Sequence, residues 1–317
     1  MSSDILDVDL LAFETGDAAA RAAVVDGVMR SLTTGFVYTR HDLSESMLDE
    51  TYGLLKGFFD LDQEAKARYH VPESFGQTGY TGLLVETAAT AELADWKEMI
   101  NYGRSVPEAH PLRRKYPRAY LDPVLPDHDF PGASDLLLDF HDRVFDIQRR
   151  FMRIIAVGLG CHEDFFEVML EEGPTLTRAI RYPAMTEAPA GGHVWAAEHG
   201  DINLITALPR ATASGLQVKT EAGWVDAAPP DGHMIVNTGM MLEHVTNGLI
   251  PSGIHRVVAG EGQLGERISV VQFCHPRPWT ILSPVPTTVT EEHPLRFSPI
   301  SAADKLDQVL WDINLTT

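Results

Sequence analysis

Cysteine is almost absent: Cys161 and Cys274 are the only two in 317 residues. They lie far apart and match no thiolate zinc spacing, so neither a disulfide framework nor a cysteine metal centre is expected. Both are read as reduced thiols. Positive charge is also scarce. With 25 Lys and Arg against 45 Asp and Glu, the formal net charge is -20. Such a chain is repelled by nucleic acid and by anionic membranes, and neither is expected as a partner. No apolar run approaches the roughly 18 residues of a membrane span. The acidic start MSSDILDVDLLAFETGD lacks the basic-then-apolar layout of a signal peptide. The expectation is a cytoplasmic protein, monomeric, with a small-molecule substrate.

Helical signals dominate the first half. Asp17 is placed to cap AAARAAVVDGVMRSL, a β-prone run follows at Gly35–Tyr38, and Ser44 to Phe59 reads as a second helix. Asp62 to His70 reads as a short third. Six prolines between Asn101 and Gly132 predict mostly irregular connection. Leu137, Phe140, Val144, Ile147, Phe151 and Ile154 then recur at steps of three and four, which places them on one helix face, and Gly158 and Gly160 end that helix. From about Leu176 the texture is short β-rich runs (TRAIRYP, NLITALP, GLQVKT, GWVDA, HMIVNTG, IHRVVAG, ERISVVQFC) parted by turn residues. This pattern predicts a β-sandwich or barrel, with one helical insert, MLEHVT, stopped at Asn247–Gly248. The long helix needs a face to bury its stripe against, so one domain over 1–317 is expected. Its parts are a mainly helical 1–170, a β core over 171–280 and a C-terminal segment over 281–317.

His199-Gly200-Asp201 places an imidazole and a carboxylate at i and i+2, on the same side of an extended chain. His255 is the candidate third ligand. Two histidines and one carboxylate on one face of an octahedral ion leave open positions, as Fe(II) oxygen chemistry requires, whereas a structural zinc would be closed by four ligands. Such a motif also arises by chance. His162-Glu163-Asp164 is a second instance, read as a helix start, and two polar histidines at strand ends remain an alternative for His199 and His255. Arg267 and Ser269 alternate onto one strand face and could clamp a carboxylate, since a guanidinium grips both oxygens. Arg296-Phe297-Ser298 repeats that pattern among Ser and Pro residues with no strand around it.

Taken in order, RAIRYP, EHGDINLITALP, GLQVKTEAGWVDAAPPDGHMIVNTG, SGIHRVV and ERISVVQFCHP resemble the isopenicillin N synthase-like Fe(II)/2-oxoglutarate dioxygenases. GFVYTRHDL, KGFFDLDQEAKARYH, GYTG and DWKEMINYG extend the resemblance into the front half. It implies mixed α and β structure: a double-stranded β-helix, or jelly-roll, core with helices from the N-terminal half packed around it. It implies His199, Asp201 and His255 as Fe(II) ligands, with Arg267, Ser269 and Tyr182 holding the distal carboxylate of 2-oxoglutarate. Phe273, six residues beyond Arg267 on the same face, is expected to point into the substrate pocket, and Trp195 to lie near its entrance. His193 and His244 match no ligand position, and His275, just beyond the strand, is expected to hydrogen-bond locally or face solvent.

The implied activity is oxidation of a small organic substrate by O2, through hydroxylation, desaturation or ring closure, with 2-oxoglutarate converted to succinate and CO2. The acidic, Ala-rich chain suggests tailoring of a secondary metabolite, such as an antibiotic precursor. Two rivals remain at this point. An isopenicillin N synthase-type oxidase would use no 2-oxoglutarate, and an inactive jelly-roll binding protein would hold iron weakly.

Overall fold

The computed structural model describes residues 5–312, apart from 73, 75, 88–91, 190–191, 261–262 and 264. The last five residues of the expected C-terminal segment therefore lie outside it. In the first half the strands are β1 (Asp7–Asp9), β2 (Phe36–Arg40), β3 (Gly79–Thr81) and β4 (Glu98–Tyr102). The second half carries β5 (Leu176–Tyr182), β6 (Ala196–His199), β7 (Ile205–Leu208) and β8 (Leu216–Thr220). It continues with β9 (Gly223–Asp226), β10 (His233–Thr238), β11 (His255–Val257) and β12 (Arg267–Cys274).

Two sheets form the jelly roll. The larger has the order β1-β2-β10-β7-β12-β5-β4-β3 and the smaller β6-β11-β8-β9, with β6 at an edge. All these pairs are antiparallel except β1 with β2. Between the sheets lies one apolar cluster that includes Phe36, Met99, Ile180, Trp195, Leu216 and Val257. A larger cluster covers the other face of the larger sheet and joins it to the helices.

The helix Ala133–Gly158 supplies much of that second cluster. Leu137, Phe140, Val144, Ile147, Phe151 and Ile154 are all buried, as their spacing predicts. Burying a Leu, Ile or Phe side chain stabilises by about 1.5–3 kcal/mol before chain entropy is charged. The helix stops where expected. Gly160 takes φ 72°, its N–H reaches the Val157 carbonyl and the Cys161 N–H reaches Ala156, a Schellman ending that glycine accommodates without Cβ strain. The front helices Ala18–Ser31, Glu45–Phe59 and Gln63–Ala67 begin behind Asp17, Ser44 and Asp62, whose side chains accept backbone N–H groups of the first turn. The helical insert is Met240–Val245, and left-handed Asn247 and Gly248 follow it.

The front half also departs from a mainly helical reading, because β1 to β4 join the larger sheet. Asn101 and Tyr102 end β4 instead of opening an irregular stretch, and Pro111–Lys115 forms a short helix inside it. The sequence carries no strand signal at β4 for a physical reason. Every residue of EMINY is buried, so no alternation shows. Its acid, Glu98, is neutralised out of sight by Lys66 at 2.8 Å and Arg181 at 3.2 Å. β6, only four residues long, is too short to show a pattern either.

Candidate metal centre and its pocket

β6 and β11 are hydrogen-bonded neighbours in the smaller sheet, and their register sets His255 directly opposite His199. The ring centroids are 4.3 Å apart. Each ring is fixed through Nδ1, against the Ala197 carbonyl at 2.7 Å and the Gly253 carbonyl at 3.1 Å. With the proton on Nδ1, Nε2 of each ring is left as a lone-pair donor, the usual way a protein orients a metal-binding imidazole. Asp201 follows two residues after His199. Between them Gly200 packs closely: a Cβ there would lie 2.9 Å from Ser252 Oγ and 3.1 Å from Ile254 Cδ1.

One carboxylate oxygen of Asp201, Oδ2, accepts from Thr206 Oγ1 at 2.5 Å and Asn237 Nδ2 at 2.7 Å. The other is left for a ligand. Donor atoms of His199, Asp201 and His255 all lie within 4.8 Å of one another, and among the described residues they are the one cluster of three such groups. Burial lowers His199 to about 4, assisted by His255, so its imidazole is neutral near pH 7. Burial alone would raise the Asp201 carboxyl. The two imidazoles and the Thr206 and Asn237 bonds outweigh it and hold Asp201 below the ordinary carboxylate range. These are the protonation states that metal ligation needs.

The inner face of the larger sheet forms the opposite wall. β12 pairs with β5 so that Arg267 faces Tyr182 and Ser269 faces Ile180. Arg267 is 1% exposed. Its Nη1 donates to Ser269 Oγ at 2.8 Å and its Nε to the Ala213 carbonyl at 3.2 Å, while its guanidinium lies 5.2 Å from the Tyr182 ring centroid. Among the described residues no carboxylate pairs with it. A buried guanidinium without a counter-ion is costly, and burial lowers its pKa accordingly. The cavity between the sheets is lined by all three candidate ligands and by Arg267, Ser269, Tyr182 and Phe273.

Trp195 does not reach this cavity. It is fully buried, donates Nε1–H to the Pro183 carbonyl at 2.8 Å and packs against Tyr182 from behind. Its expected place at the entrance is therefore corrected: the indole belongs to the apolar cluster between the sheets. The second HxD is also remote. His162 and Asp164 are exposed on a turn, and the helix there begins only at Glu167, later than expected. Arg296 and Ser298 are exposed outside any strand. His193 and His244 hold the Ala94 and Ser298 carbonyls. His275 is half-buried, lowered to about 4 by burial.

Sequence reasoning missed Thr206 and Asn237, which fix Asp201, and Lys97 and Arg178, which also line the cavity. A signal for Arg178 existed. Counting back by twos from Tyr182 along β5 puts Ile180 and Arg178 on the same face.

Comparison with known proteins agrees with this geometry. Residues 175–276 match the 2OG-Fe(II) oxygenase superfamily, and residues 4–128 match the N-terminal region described as non-haem dioxygenase in morphine synthesis. The chain is 30% identical to azadirone synthase of Melia azedarach over 272 residues, covering 83% of this chain and 80% of that one. A crystal structure of a 2OG-Fe(II) oxygenase family protein from Caulobacter crescentus is 30% identical, with TM-score 0.85, over 98% of this chain and 100% of the other. A full-length Neurospora crassa protein, crystallised in complex with alpha-KG, is 25% identical, with TM-score 0.85, over 98% of each chain.

Proposed function

The chain belongs to the 2OG-Fe(II) oxygenase superfamily, and from that premise we propose that it oxidises a small organic substrate in the biosynthesis of a secondary metabolite. It is a 2-oxoglutarate-dependent dioxygenase, an oxidoreductase that uses Fe(II) and 2-oxoglutarate. His199, Asp201 and His255 are the residues that would hold the iron; two nitrogens and one oxygen on one side of the ion suit it. Arg267 and Ser269 would take the distal carboxylate of 2-oxoglutarate, with the Tyr182 ring covering the guanidinium. The observation that carries this reading is Arg267 itself, a buried cation with no acidic partner among the described residues, held ready for a ligand carboxylate.

When bound, iron and 2-oxoglutarate supply O2 activation: two electrons come from decarboxylation to succinate and CO2, and two from the substrate. The chain's own part is positional. Thr206 and Asn237 keep Asp201 ionised and aimed. The Ala197 and Gly253 carbonyls keep both imidazoles in the ligating tautomer. Phe273 offers an apolar wall beside the reacting face. Strands from both halves share the larger sheet, which supports residues 1–317 acting as one unit. Small-molecule substrates fit what is recorded of the relatives: one is named azadirone synthase, and the Neurospora crassa protein was also crystallised in complex with thymine.

The test is anaerobic titration, first with Fe(II) and then with 2-oxoglutarate, followed by aerobic turnover over a panel of small metabolites. One iron per chain, a charge-transfer band on adding 2-oxoglutarate and substrate-stimulated succinate are expected. Iron binding without any response to 2-oxoglutarate would refute the co-substrate assignment.

A further inference from the structure

Three cationic side chains line the cavity, Arg267, Lys97 and Arg178, whereas Asp201 is the acid on its wall. Arg267 is accounted for by 2-oxoglutarate. Lys97 directly precedes Glu98, which pairs with Arg181, so its backbone lies near Tyr182 and only its Nζ extends towards Arg178, which stands apart from the clamp. Arg178 is four residues from Tyr182 on β5, and Tyr182 is the residue paired with Arg267. At about 3.3 Å per residue this places the Arg178 backbone roughly 13 Å along the sheet, beyond the clamp.

Lys97 Nζ and Arg178 Nη1 converge on a single oxygen, Glu86 Oε2, at 3.3 and 3.4 Å. Arg178 Nε is held by Asn101 Oδ1 at 2.7 Å, and Lys97 Nζ by Asp95 Oδ2 at 2.8 Å. Glu86, Asp95 and Asn101 do not line the cavity. They hold the two cations, and Glu86 is also close enough to His199 to interact with it. Burial would raise the Glu86 carboxyl, but Arg178 and Lys97 outweigh it and bring it down to about 2, so the shared carboxylate stays charged. Two donors on these cavity-lining residues remain uncommitted: Arg178 Nη2, which has no partner among the described residues, and the third Lys97 N–H. Beside them the Phe273 ring centroid is 5.4 Å from the Arg178 guanidinium.

We propose that Lys97 and Arg178 form a second anion-binding subsite in this cavity, which selects substrates carrying a carboxylate next to an apolar or aromatic body. The inference rests on the reading of the site as an Fe(II)/2-oxoglutarate centre. A fixed guanidinium and ammonium, stripped of most water, bind a carboxylate through charge-assisted hydrogen bonds that a neutral amide cannot match. The apolar body packs on Phe273, and the oxidised carbon is one that this anchorage brings towards the ligand cluster. Glu86 and Asp95 act as positioning residues.

The experiment uses the full chain, anaerobic, loaded with Fe(II) and saturating 2-oxoglutarate. Acetate, benzoate and phenylacetate are each titrated against their primary amides by calorimetry and by perturbation of the charge-transfer band. At least one acid should bind ten or more times tighter than its amide. Arg178→Gln and Lys97→Met should each erase most of that preference, and Arg178→Lys should restore part of it. Saturating 2-oxoglutarate blocks the Arg267 clamp, and the band it gives in each variant reports an intact site. If no acid outbinds its amide, or if Arg178→Gln binds the acids as the parent does, the subsite is refuted. Loss of the 2-oxoglutarate band in the parent protein would instead overturn the co-substrate reading on which the inference rests.

Discussion

Replacing Arg267 by Met separates what this residue costs the fold from what it gives the ligand. In the free protein the guanidinium is 1% exposed and pairs with one hydroxyl, one carbonyl and an aromatic face, with no carboxylate among the described residues. Met is shorter but of comparable bulk, and carries no charge. The variant loses two hydrogen bonds worth about 1 kcal/mol each, and it is relieved of desolvating a cation, a penalty of several kcal/mol. Free-protein stability should therefore stay level or rise. Ligand binding should move the other way. Removing one partner of a buried charge pair costs about 2–5 kcal/mol, which at 1.4 kcal/mol per decade is roughly thirty- to several-thousandfold in 2-oxoglutarate affinity. At a concentration one hundred times its Kd, 2-oxoglutarate should stabilise the parent by about 2.7 kcal/mol. A thirtyfold loss would leave under about 0.9 kcal/mol in the variant at that same concentration. Denaturant melts of Fe(II)-loaded anaerobic protein, with and without 2-oxoglutarate, measure both quantities. A variant less stable when free yet equally stabilised by 2-oxoglutarate would refute the argument.

Other perturbations probe the remaining parts. His199→Ala, Asp201→Ala and His255→Ala should each abolish iron binding in equilibrium dialysis while far-ultraviolet circular dichroism stays unchanged, and His162→Ala should alter neither. Asn237→Ala, which frees one oxygen of Asp201, should weaken iron affinity about ten- to a hundredfold; an unchanged affinity would mean that Thr206 alone suffices. His141 is 2% exposed beneath β5 and β12 and is lowered by burial to about 4 from 6.5. Its neutral form is favoured in the fold, so the unfolded chain binds the extra proton between those values, and stability falls as pH drops from about 6.5 to about 4. The full loss is about 3 kcal/mol at 1.36 kcal/mol per pH unit. His141→Gln should remove one histidine's share of that slope, since His199 and His275 are lowered across the same window, and an unaltered slope would remove His141 as a source.

Two candidate ligands and the candidate clamp were legible because each pair declares itself within three residues of chain, whereas His255 reaches His199 only through the register of β11 on β6. His199 and Asp201 lie two apart, as do Arg267 and Ser269, and strand alternation does the rest. The long helix was legible for a similar reason, since its stripe repeats over many residues. What stayed hidden depends on register between strands distant in sequence. Asn237 reaches Asp201 because β10 pairs with β7, and Lys97 and Arg178 come to share Glu86 because β4 pairs with β5. Nothing local fixes those pairings. Arg178 and Arg181 look alike in TRAIRYP, yet three residues apart they face opposite sides of the sheet: one lines the cavity, and the other pairs with Glu266 and Glu98. Trp195 misled by proximity. Being near the motif in sequence did not bring its indole to the pocket.

The placement of two candidate ligands on β6 and β11 has a bearing on how the chain fares when iron is scarce. β6 is a short strand at a sheet edge, and its pairing with β11 is irregular just beyond His255. An ion bound to both imidazoles would rivet that edge shut, because binding to the folded state alone adds directly to its stability. Without it, the edge is the natural place for the sheet to open, offering unpaired backbone to proteases and to strands of other chains.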